Sequence, residues 1–292
     1  MLSKKEFYSY VEHHILEFMK DTREKEAVVQ KTAKNNQVSR IGLSVGKREE
    51  RLLPVLYLEP FYRKYSKGEE LDTVLAEIAS AYEEYEGCFP LDPGKIEDYD
   101  FIKENLFFRL VNYERNQKQL QECPYERMED LAVNYRWIAY RSHDGMASAI
   151  VRYRDIILWG ITEEQLKADA IANTKKIFPP TIRKIQSVIP VHVEEGDIPV
   201  FVLSNGDYMN GASAMIYKGI LKEFAERMNC NLYILPSSIH EVIILLEEDA
   251  KDIGELFKMV RETNQSVVDR EEVLSDNVYY YDRNADKITI AR

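Results

Sequence analysis

Cysteine is scarce in this sequence, and long apolar runs are missing. The three cysteines, Cys88, Cys123 and Cys230, lie far apart and form no CxxC pair, which argues against a disulfide framework and against a structural zinc site. The longest apolar runs, such as Val242–Leu246, are much shorter than a membrane span. The first residues also lack the unbroken apolar core of a signal peptide. We therefore expect a cytoplasmic protein with no membrane partner.

The common signatures of cofactor and catalytic sites are also missing. The sequence contains no P-loop, GxGxxG, HExxH or GxSxG motif, so we expect no nucleotide-phosphate cradle of the familiar kinds and no cofactor. His13 and Glu17 stand four residues apart on a predicted helix, but two ligands on one turn are too few to hold a metal ion. We predict no metal site.

Basic residues are outnumbered by acidic ones. The sequence has 39 Lys and Arg against 50 Asp and Glu, a formal net charge of -11. Binding to a phosphate backbone depends on clustered Lys and Arg, so nucleic acid is not expected as the main partner. The most basic stretch, Lys175–Gln186, is short and interrupted by two prolines, and we interpret it as a solvated linker.

Helical and strand patterns fill most of the chain. Residues 3–20 have helical spacing behind Ser3 as an N-cap, and Val28–Gly46 predicts a hairpin around "KNNQ". Two helices separated near Lys67 and Gly68 follow. The segment "CFPLDPG" (Cys88–Gly94) is then the clearest break. We predict a smaller helix–hairpin–helix region over residues 1–92 and an α+β domain over residues 93–292; the alternative is one continuous domain.

The second region contains strand-rich and helical segments in alternation. Strands are predicted over residues 104–116, 130–141, 146–160, 198–205, 231–236 and 241–248, with a closing hairpin over "DRNAD". Helices are predicted from Thr162 as N-cap, from Asn210 to about Met228, and over Asp249–Asn264. This order indicates an α+β fold, in which an antiparallel or mixed sheet carries helices on one face.

The segment "PSSIHE" between two apolar strands contains the residue types of a serine hydrolase. Ser237, Ser238, His240 and Glu241 are the weak catalytic candidates. On an extended backbone Ser238 and His240 point to the same side and Glu241 to the other, so Glu241 would be unable to orient the histidine. The alternative is a hairpin connection whose serines bond to nearby backbone groups.

The loop "SNGDYMNGAS" (Ser204–Ser213) lies between a strand end and a predicted helix N-terminus. Free backbone N–H groups there favour an anion or carboxylate, and Asn205, Asn210 and Ser213 are candidate ligand contacts. The alternative is that Asn210 is only an N-cap and that the glycines permit the turn. The SxxK-like "SVGK" and the "SDN" at Ser275–Asn277 lack the KTG-type triplet that a penicilloyl-transferring enzyme needs, so we interpret "SDN" as a loop.

Several blocks along the whole chain resemble a known family. They are "LPVLYLEPFYRKYSKGEEL", "ILWGITEEQLKADAIANT", "VFVLSNGDYMNGASAMIYKGIL", "YILPSSIHEVIILLEE" and "MVRETNQSVVDREEVLSDNVYYYD". In this order they resemble a family of uncharacterised cytosolic proteins from anaerobic, Clostridia-type bacteria, often met among mobile-element cargo. That family has no accepted reaction, so the resemblance implies no catalytic residues.

These observations lead to three functional hypotheses. We expect a soluble binding or accessory protein without catalytic activity, which uses the loops "SNGDYMN" and "PSSIHE" to contact a protein or small-molecule partner. The 19 tyrosines favour binding, because tyrosine combines an apolar ring with a polar tip. The first alternative is a serine-type hydrolase that uses Ser238 or Ser237 with His240 and an acid from elsewhere in the chain. The second is a nucleic-acid-associated mobile-element factor, which conflicts with the charge.

Overall fold

The computed structural model describes residues 1–48, 53–87, 93–142, 145–189, 198–236, 238–250 and 252–292. The chain divides into two compact units. The first comprises Met1–Tyr99 with Ala139–Ala147, and the second Asp100–Ile138 with Ser148–Arg292. The boundary predicted between residues 92 and 93 adjoins residues 88–92, which lie outside the described residues, and it stays a prediction.

The first unit combines a small antiparallel sheet with helices. Its elements are α1 (Lys4–His14), β1 (Glu26–Ala33), β2 (Ser39–Gly46), β3 (Leu56–Tyr57), α2 (Glu59–Ser66) and α3 (Leu71–Gly87). α1 begins as predicted, because the Ser3 hydroxyl accepts the N–H of Glu6 while the Glu6 carboxylate accepts the N–H of Ser3 at 2.8 Å. β1 and β2 form the predicted hairpin.

Aromatic and branched side chains fill the core of this unit. Phe7 and Val11 of α1, Leu43 of β2 and Ile78 and Tyr82 of α3 are fully buried. The Tyr82 hydroxyl accepts the backbone N–H of Val45 at 2.7 Å, which satisfies its polar end inside the core. The unit is therefore a helix-covered sheet with its own core.

The chain continues with a four-stranded sheet and several helices, and most of their residues belong to the second unit. These elements are α4 (Tyr99–Lys103), β4 (Leu106–Asn112), α5 (Tyr113–Leu120), β5 (Tyr125–Met128), β6 (Leu131–Ser142), β7 (Gly145–Ile150), α6 (Tyr153–Trp159) and α7 (Glu163–Ile177). β6 pairs with β4, β5 and β7. The Thr162 hydroxyl accepts the N–H of Gln165 at 3.2 Å and starts α7 as predicted.

Two segments that were predicted as strand are helical. Residues 113–116 open α5, because the Asn112 side chain accepts the N–H of Arg115 at 2.9 Å and caps the helix. Residues 153–159 form α6, in which the Asp155 carboxylate accepts the N–H of Arg152 at 2.8 Å. Their aromatic and branched residues favoured strands, and side-chain capping outweighs that preference.

The rest of this unit is built on a six-stranded sheet, antiparallel at each pairing that the described residues show. Its strands are β8 (Pro180–Lys184), β9 (Val200–Asn205), β10 (Leu232–Pro236), β11 (Val242–Leu246), β12 (Tyr279–Asp282) and β13 (Lys287–Ile290), in the spatial order β13-β12-β10-β11-β9-β8. The basic stretch Lys175–Gln186 is therefore not a linker, since it includes the edge strand β8.

Helices cover both faces of this sheet, not one as predicted. α8 (Ile220–Met228) lies on one face, where the ring of Phe224 is 5.0 Å from that of Phe201. α9 (Ile253–Ser266) lies on the other, and its Leu256 packs with Tyr233. Phe201 and Tyr233 point to opposite faces, as the strand register and the alternation of side chains require.

No helix within the described ranges is long and apolar enough to cross a membrane.

The helix predicted from Asn210 to Met228 is broken. Residues Gly211–Ile216 form a 3-10 helix, and α8 begins only after Gly219. Gly219 has φ +87°, a conformation that interrupts a right-handed helix and that glycine adopts at little cost. α9 also starts later than predicted, at Ile253, because the Asp252 carboxylate accepts the N–H of Gly254 at 2.8 Å.

The "SDN" segment lies in a loop, as interpreted, and it joins a buried polar network. The Asp130 carboxylate accepts hydrogen bonds from the Ser275 hydroxyl at 2.6 Å, the Asn277 amide at 3.0 Å and the Tyr279 hydroxyl at 2.7 Å. Ser275 and Tyr279 are fully buried. The segment therefore fastens the start of the last hairpin to residues that precede β6.

Candidate functional site

The loop after β9 is organised around the side chain of Asn205. Its Oδ1 accepts the N–H groups of Asp207 at 3.1 Å and Met209 at 3.2 Å, and its Nδ2 donates to the carbonyl of Met209 at 2.7 Å. Asn205 is buried. These internal bonds hold the polar turn in shape, and a ligand contact by Asn205 stays a prediction.

Asn210 and Gly211 bring this loop against the "PSSIHE" turn. Asn210 occupies the N-cap position of the 3-10 helix with a positive φ of 55°, but its side chain makes no capping hydrogen bond. Its backbone N–H points to the Nδ1 atom of His240 at 3.4 Å. The N–H of Ala212 donates to the carbonyl of Ile239 at 3.2 Å. The structure thus brings the two sequence-predicted loops together at one end of the six-stranded sheet.

Residues 238–241 of the "PSSIHE" segment form a turn between β10 and β11. The N–H of Ser238 donates to the carbonyl of Glu241 at 3.3 Å, and the Ser238 hydroxyl oxygen accepts the backbone N–H of His240 at 2.9 Å. The expectation that Ser238 and His240 share one side required an extended backbone, which the turn does not have. Glu241 instead approaches Ser238, with its Oε1 3.4 Å from the Ser238 hydroxyl. Ser237 lies outside the described residues.

The ring of His240 has one further neighbour that the sequence did not suggest. Its Nε2 lies 3.5 Å from the Oε1 of Glu272. The side chains of His240 and Glu272 are 29% and 41% exposed, so this pair is open to solvent. The N–H of Ile239 also donates to the carbonyl of Glu272 at 2.8 Å. Glu272 is 32 positions away in the sequence, and no motif links it to His240.

The observed arrangement provides an acid for His240, but the ring is not directed at any serine among the described residues. In a serine hydrolase the histidine accepts the nucleophile's proton through one ring nitrogen while the other is held by an acid. Here Nδ1 is directed to a backbone N–H and Nε2 to Glu272. Ser238 is buried and its oxygen is engaged by a backbone donor. The described residues of the two loops are therefore held together by backbone hydrogen bonds, and the His240–Glu272 pair beside them is partly exposed.

Ser213 is as deeply buried as Asn205. It is 1% exposed, and its hydroxyl oxygen accepts the backbone N–H of Leu110 in β4 at 3.0 Å. Thr174 of α7 accepts the N–H of Phe108 in the same way at 3.0 Å. Both residues satisfy donors on the free edge of β4. A ligand contact by Ser213 stays a prediction.

A polar groove lies elsewhere on the second unit, on the α9 side of the six-stranded sheet. Its volume is about 770 Å³, and Tyr233, Glu247, Tyr280 and Lys287 are among its lining residues. The Tyr280 hydroxyl donates to Glu247 at 2.7 Å, and burial followed by this bond raises the pKa of Tyr280 to about 12. Volumes of this order accommodate small ligands. The 19 tyrosines of the sequence favoured a binding surface but did not indicate where it lies.

Within the described residues, no group of three or more His, Cys, Asp or Glu side chains is arranged to hold a metal ion. His13 bonds to the carbonyl of Ser9 at 2.6 Å. His143, Asp144 and His192, which stand as isolated residues in the sequence, lie outside the described residues.

Comparison with known proteins places the chain in a family. Residues 4–283 match the model of a family described as "Family of unknown function (DUF5688)". The chain belongs to this family. The DUF5688 match extends from α1 into the last hairpin, so it includes both polar loops and Glu272. No curated protein and no solved structure matches the chain, and the family description attaches no reaction to any of these residues.

Proposed function

We propose that this DUF5688 protein is a binding or accessory protein without catalytic activity of its own. The observation that carries the proposal is the bond between the Ser238 hydroxyl oxygen and the backbone N–H of His240 at 2.9 Å. This bond stabilises the turn, so the oxygen of the candidate nucleophile already has a structural role. The serine is also buried, whereas a nucleophile must reach its substrate.

The surface proposed for the partner is formed by the two polar loops and the His240–Glu272 pair. His240 and Glu272 remain partly exposed after the backbone of both loops is bonded. Exposed polar groups on a rigid scaffold are suited to recognition, because little ordering is needed when a partner binds. The partner we propose is a protein or small molecule.

Site-directed photo-crosslinking tests this surface. A photoreactive phenylalanine analogue at position 272 is compared with the same analogue at Lys258, an exposed position on α9. Irradiation in the native host should give one discrete adduct from position 272 and none from position 258. Equal adducts from both positions would contradict the proposed surface, and no adduct from position 272 would exclude a protein partner there.

A serine-type hydrolase is the alternative, and the 3.5 Å approach of Glu272 to His240 is the observation that favours it. A fluorophosphonate probe distinguishes the two functions. The wild type and the variants Ser238→Ala, Ser237→Ala and His240→Ala are treated with the probe under native conditions. The binding function predicts no labelling that depends on these residues. Labelling lost in Ser238→Ala or Ser237→Ala, and also in His240→Ala, would establish the hydrolase.

Three further features belong to the proposal. We infer a cytoplasmic location from the well-separated cysteines. We infer an origin in Clostridia-type bacteria from the resemblance of the sequence blocks. A role as a nucleic-acid-associated factor is the weakest alternative, because the net charge of -11 opposes it.

A further inference from the structure

Two tyrosine rings lie side by side in the polar groove on the α9 side of the six-stranded sheet. Tyr233 of β10 pairs with Tyr280 of β12, and their ring centroids are 5.3 Å apart. Thr289 of β13 pairs with Tyr280 on its other side. Because paired residues present their side chains on the same face of a sheet, the three side chains form a row across three strands. All three line the groove, whose volume is about 770 Å³.

The carboxylate of Glu247 lies beside these rings and has no cationic partner within the described ranges. Its Oε1 accepts the Tyr280 hydroxyl at 2.7 Å, and its Oε2 accepts the Asn231 amide at 2.9 Å. Both donors are neutral. Burial, followed by the negative charge of Glu247, raises the pKa of the Tyr233 phenol. The groove is therefore negative beside the rings, and aromatic rings also attract cations, so this part of the groove suits an ammonium group.

Two basic side chains, those of Lys287 and Arg292, also line the groove. Lys287 stands two positions before Thr289 in β13, so it lies on the same face of the sheet as the tyrosines. Lys287 and Arg292 are exposed, and the side chain of neither one is bonded to another described residue. Such donors fit the oxygens of a carboxylate. With Glu129 and Glu247, the described lining has two acidic and two basic side chains, which matches a ligand without net charge.

The strand order sets the separation between Lys287 and Glu247. Lys287 is on β13 and Glu247 directly follows β11, so the tyrosines of β12 and β10 stand between them. Three spacings between neighbouring strands amount to about 14 Å. An extended tripeptide spans about 10 Å, and the long side chains of lysine and glutamate can cover the remainder. The groove volume also lies within the range of small-ligand sites.

We propose that this groove binds a short peptide, about three residues long, whose amino and carboxyl ends are both free. The ammonium end lies at Glu247 and the adjacent rings, and the carboxylate end lies at Lys287. An apolar side chain of the peptide packs on Tyr233 and Tyr280. A sugar would use the rings and the carboxylates but not the two cations, so the charges favour the peptide. None of these residues belongs to the two polar loops, and the inference is independent of the proposed function.

Isothermal titration of the full-length protein tests the proposal. The peptide Gly-Phe-Gly is compared at neutral pH with its N-acetyl form, which lacks the ammonium group, with its C-terminal amide, which lacks the carboxylate, and with maltotriose. We expect one saturable site for Gly-Phe-Gly, and affinity at least about tenfold weaker after either end is blocked. No saturable binding of Gly-Phe-Gly, tighter binding of maltotriose, or unchanged affinity after either block would overturn the proposal.

Two variants assign the ends of the peptide to the two sides of the groove. Lys287→Met should weaken Gly-Phe-Gly at least about tenfold and leave the affinity of the C-terminal amide unchanged, because the amide has no carboxylate to lose a partner. Glu247→Gln should weaken Gly-Phe-Gly by a similar factor and leave the affinity of the N-acetyl form unchanged. Lys258→Met on α9 is the matched control, since Lys258 is exposed and is not among the described lining residues.

Equal losses for the free and the blocked peptide in either variant would show that the residue does not recognise that end, and would overturn the proposal. The same holds if Lys258→Met weakens Gly-Phe-Gly as much as Lys287→Met does. Because Lys287 is exposed and its side chain is bonded to no described residue, its substitution should not impair folding. Lys287→Met therefore decides the question by itself if Glu247→Gln does not fold.

Discussion

Gly211 lies directly against the backbone carbonyl of His240. A β-carbon at position 211 would overlap the carbonyl oxygen of His240 and the hydroxyl of Ser204, which itself donates to that carbonyl at 2.7 Å. The loop after β9 and the turn between β10 and β11 therefore approach each other through backbone atoms. This contact explains why the two polar segments meet.

Gly211→Ala should destabilise the second unit by about 2 kcal/mol, because the added methyl group must displace backbone in a packed region. Unfolding by denaturant measures the change. Gly206→Ala is the matched control, since a β-carbon at position 206 meets nothing within 4 Å. Equal effects of the two substitutions would contradict the close approach at Gly211.

Tyr279→Phe should lower the free energy of unfolding by about 1.5 kcal/mol, because it removes a buried hydrogen bond to the Asp130 carboxylate. Tyr280→Phe removes the same kind of bond, to Glu247, at a more exposed position. Its cost should therefore be smaller. A larger loss in Tyr280→Phe would show that Asp130 does not anchor the last hairpin.

Buried tyrosines should make the protein unstable in alkali. Burial raises the pKa of Tyr217, and burial together with Asp130 raises that of Tyr279. A tyrosine in the unfolded chain ionises at about pH 10. The stabilisation is thus complete below that pH and is lost as the pH rises towards the higher folded-state pKa. The free energy of unfolding should fall by about 1.4 kcal/mol per pH unit for each such tyrosine.

Denaturant unfolding at increasing pH, with tyrosinate absorbance as a second signal, measures this dependence. Tyr217→Phe removes one ionisable group, so the free energy of unfolding should decline less steeply, by about 1.4 kcal/mol per pH unit. A free energy of unfolding that stays constant above about pH 10 would contradict the prediction.

Thr174→Val should cost about 1–3 kcal/mol, because it keeps the shape of the side chain but leaves the buried N–H of Phe108 without an acceptor. Thr174→Ser retains the hydroxyl and should recover most of the hydrogen-bond contribution. Amide hydrogen exchange at Phe108 measures the local effect. Full protection in Thr174→Val would show that the hydroxyl does not serve the edge of β4.

Membership of a family of unknown function and the α+β class were both recognisable before the structure, and so were many elements with local signals. The starts of α1 and α7 could be predicted from Ser3 and Thr162, because an N-cap bonds to a residue only three positions along the chain. The hairpins at "KNNQ" and "PSSIHE" follow from apolar strands flanking a polar turn. Strand preference misled at residues 113–116 and 153–159, where capping side chains decided the local structure.

Only tertiary structure decided how the polar residues are used. The amino-acid sequence by itself determined which segments are apolar, which are capped and which turn, because these depend on neighbours along the chain. Glu272 meets His240, Ser213 meets Leu110 and Arg109 meets Asn134 through contacts between distant segments. Strand register and loop packing set those contacts. Because of these contacts, the Ser238 hydroxyl accepts the backbone N–H of His240. Strand register also puts Arg109, Asn134 and Arg136 on one face of a sheet.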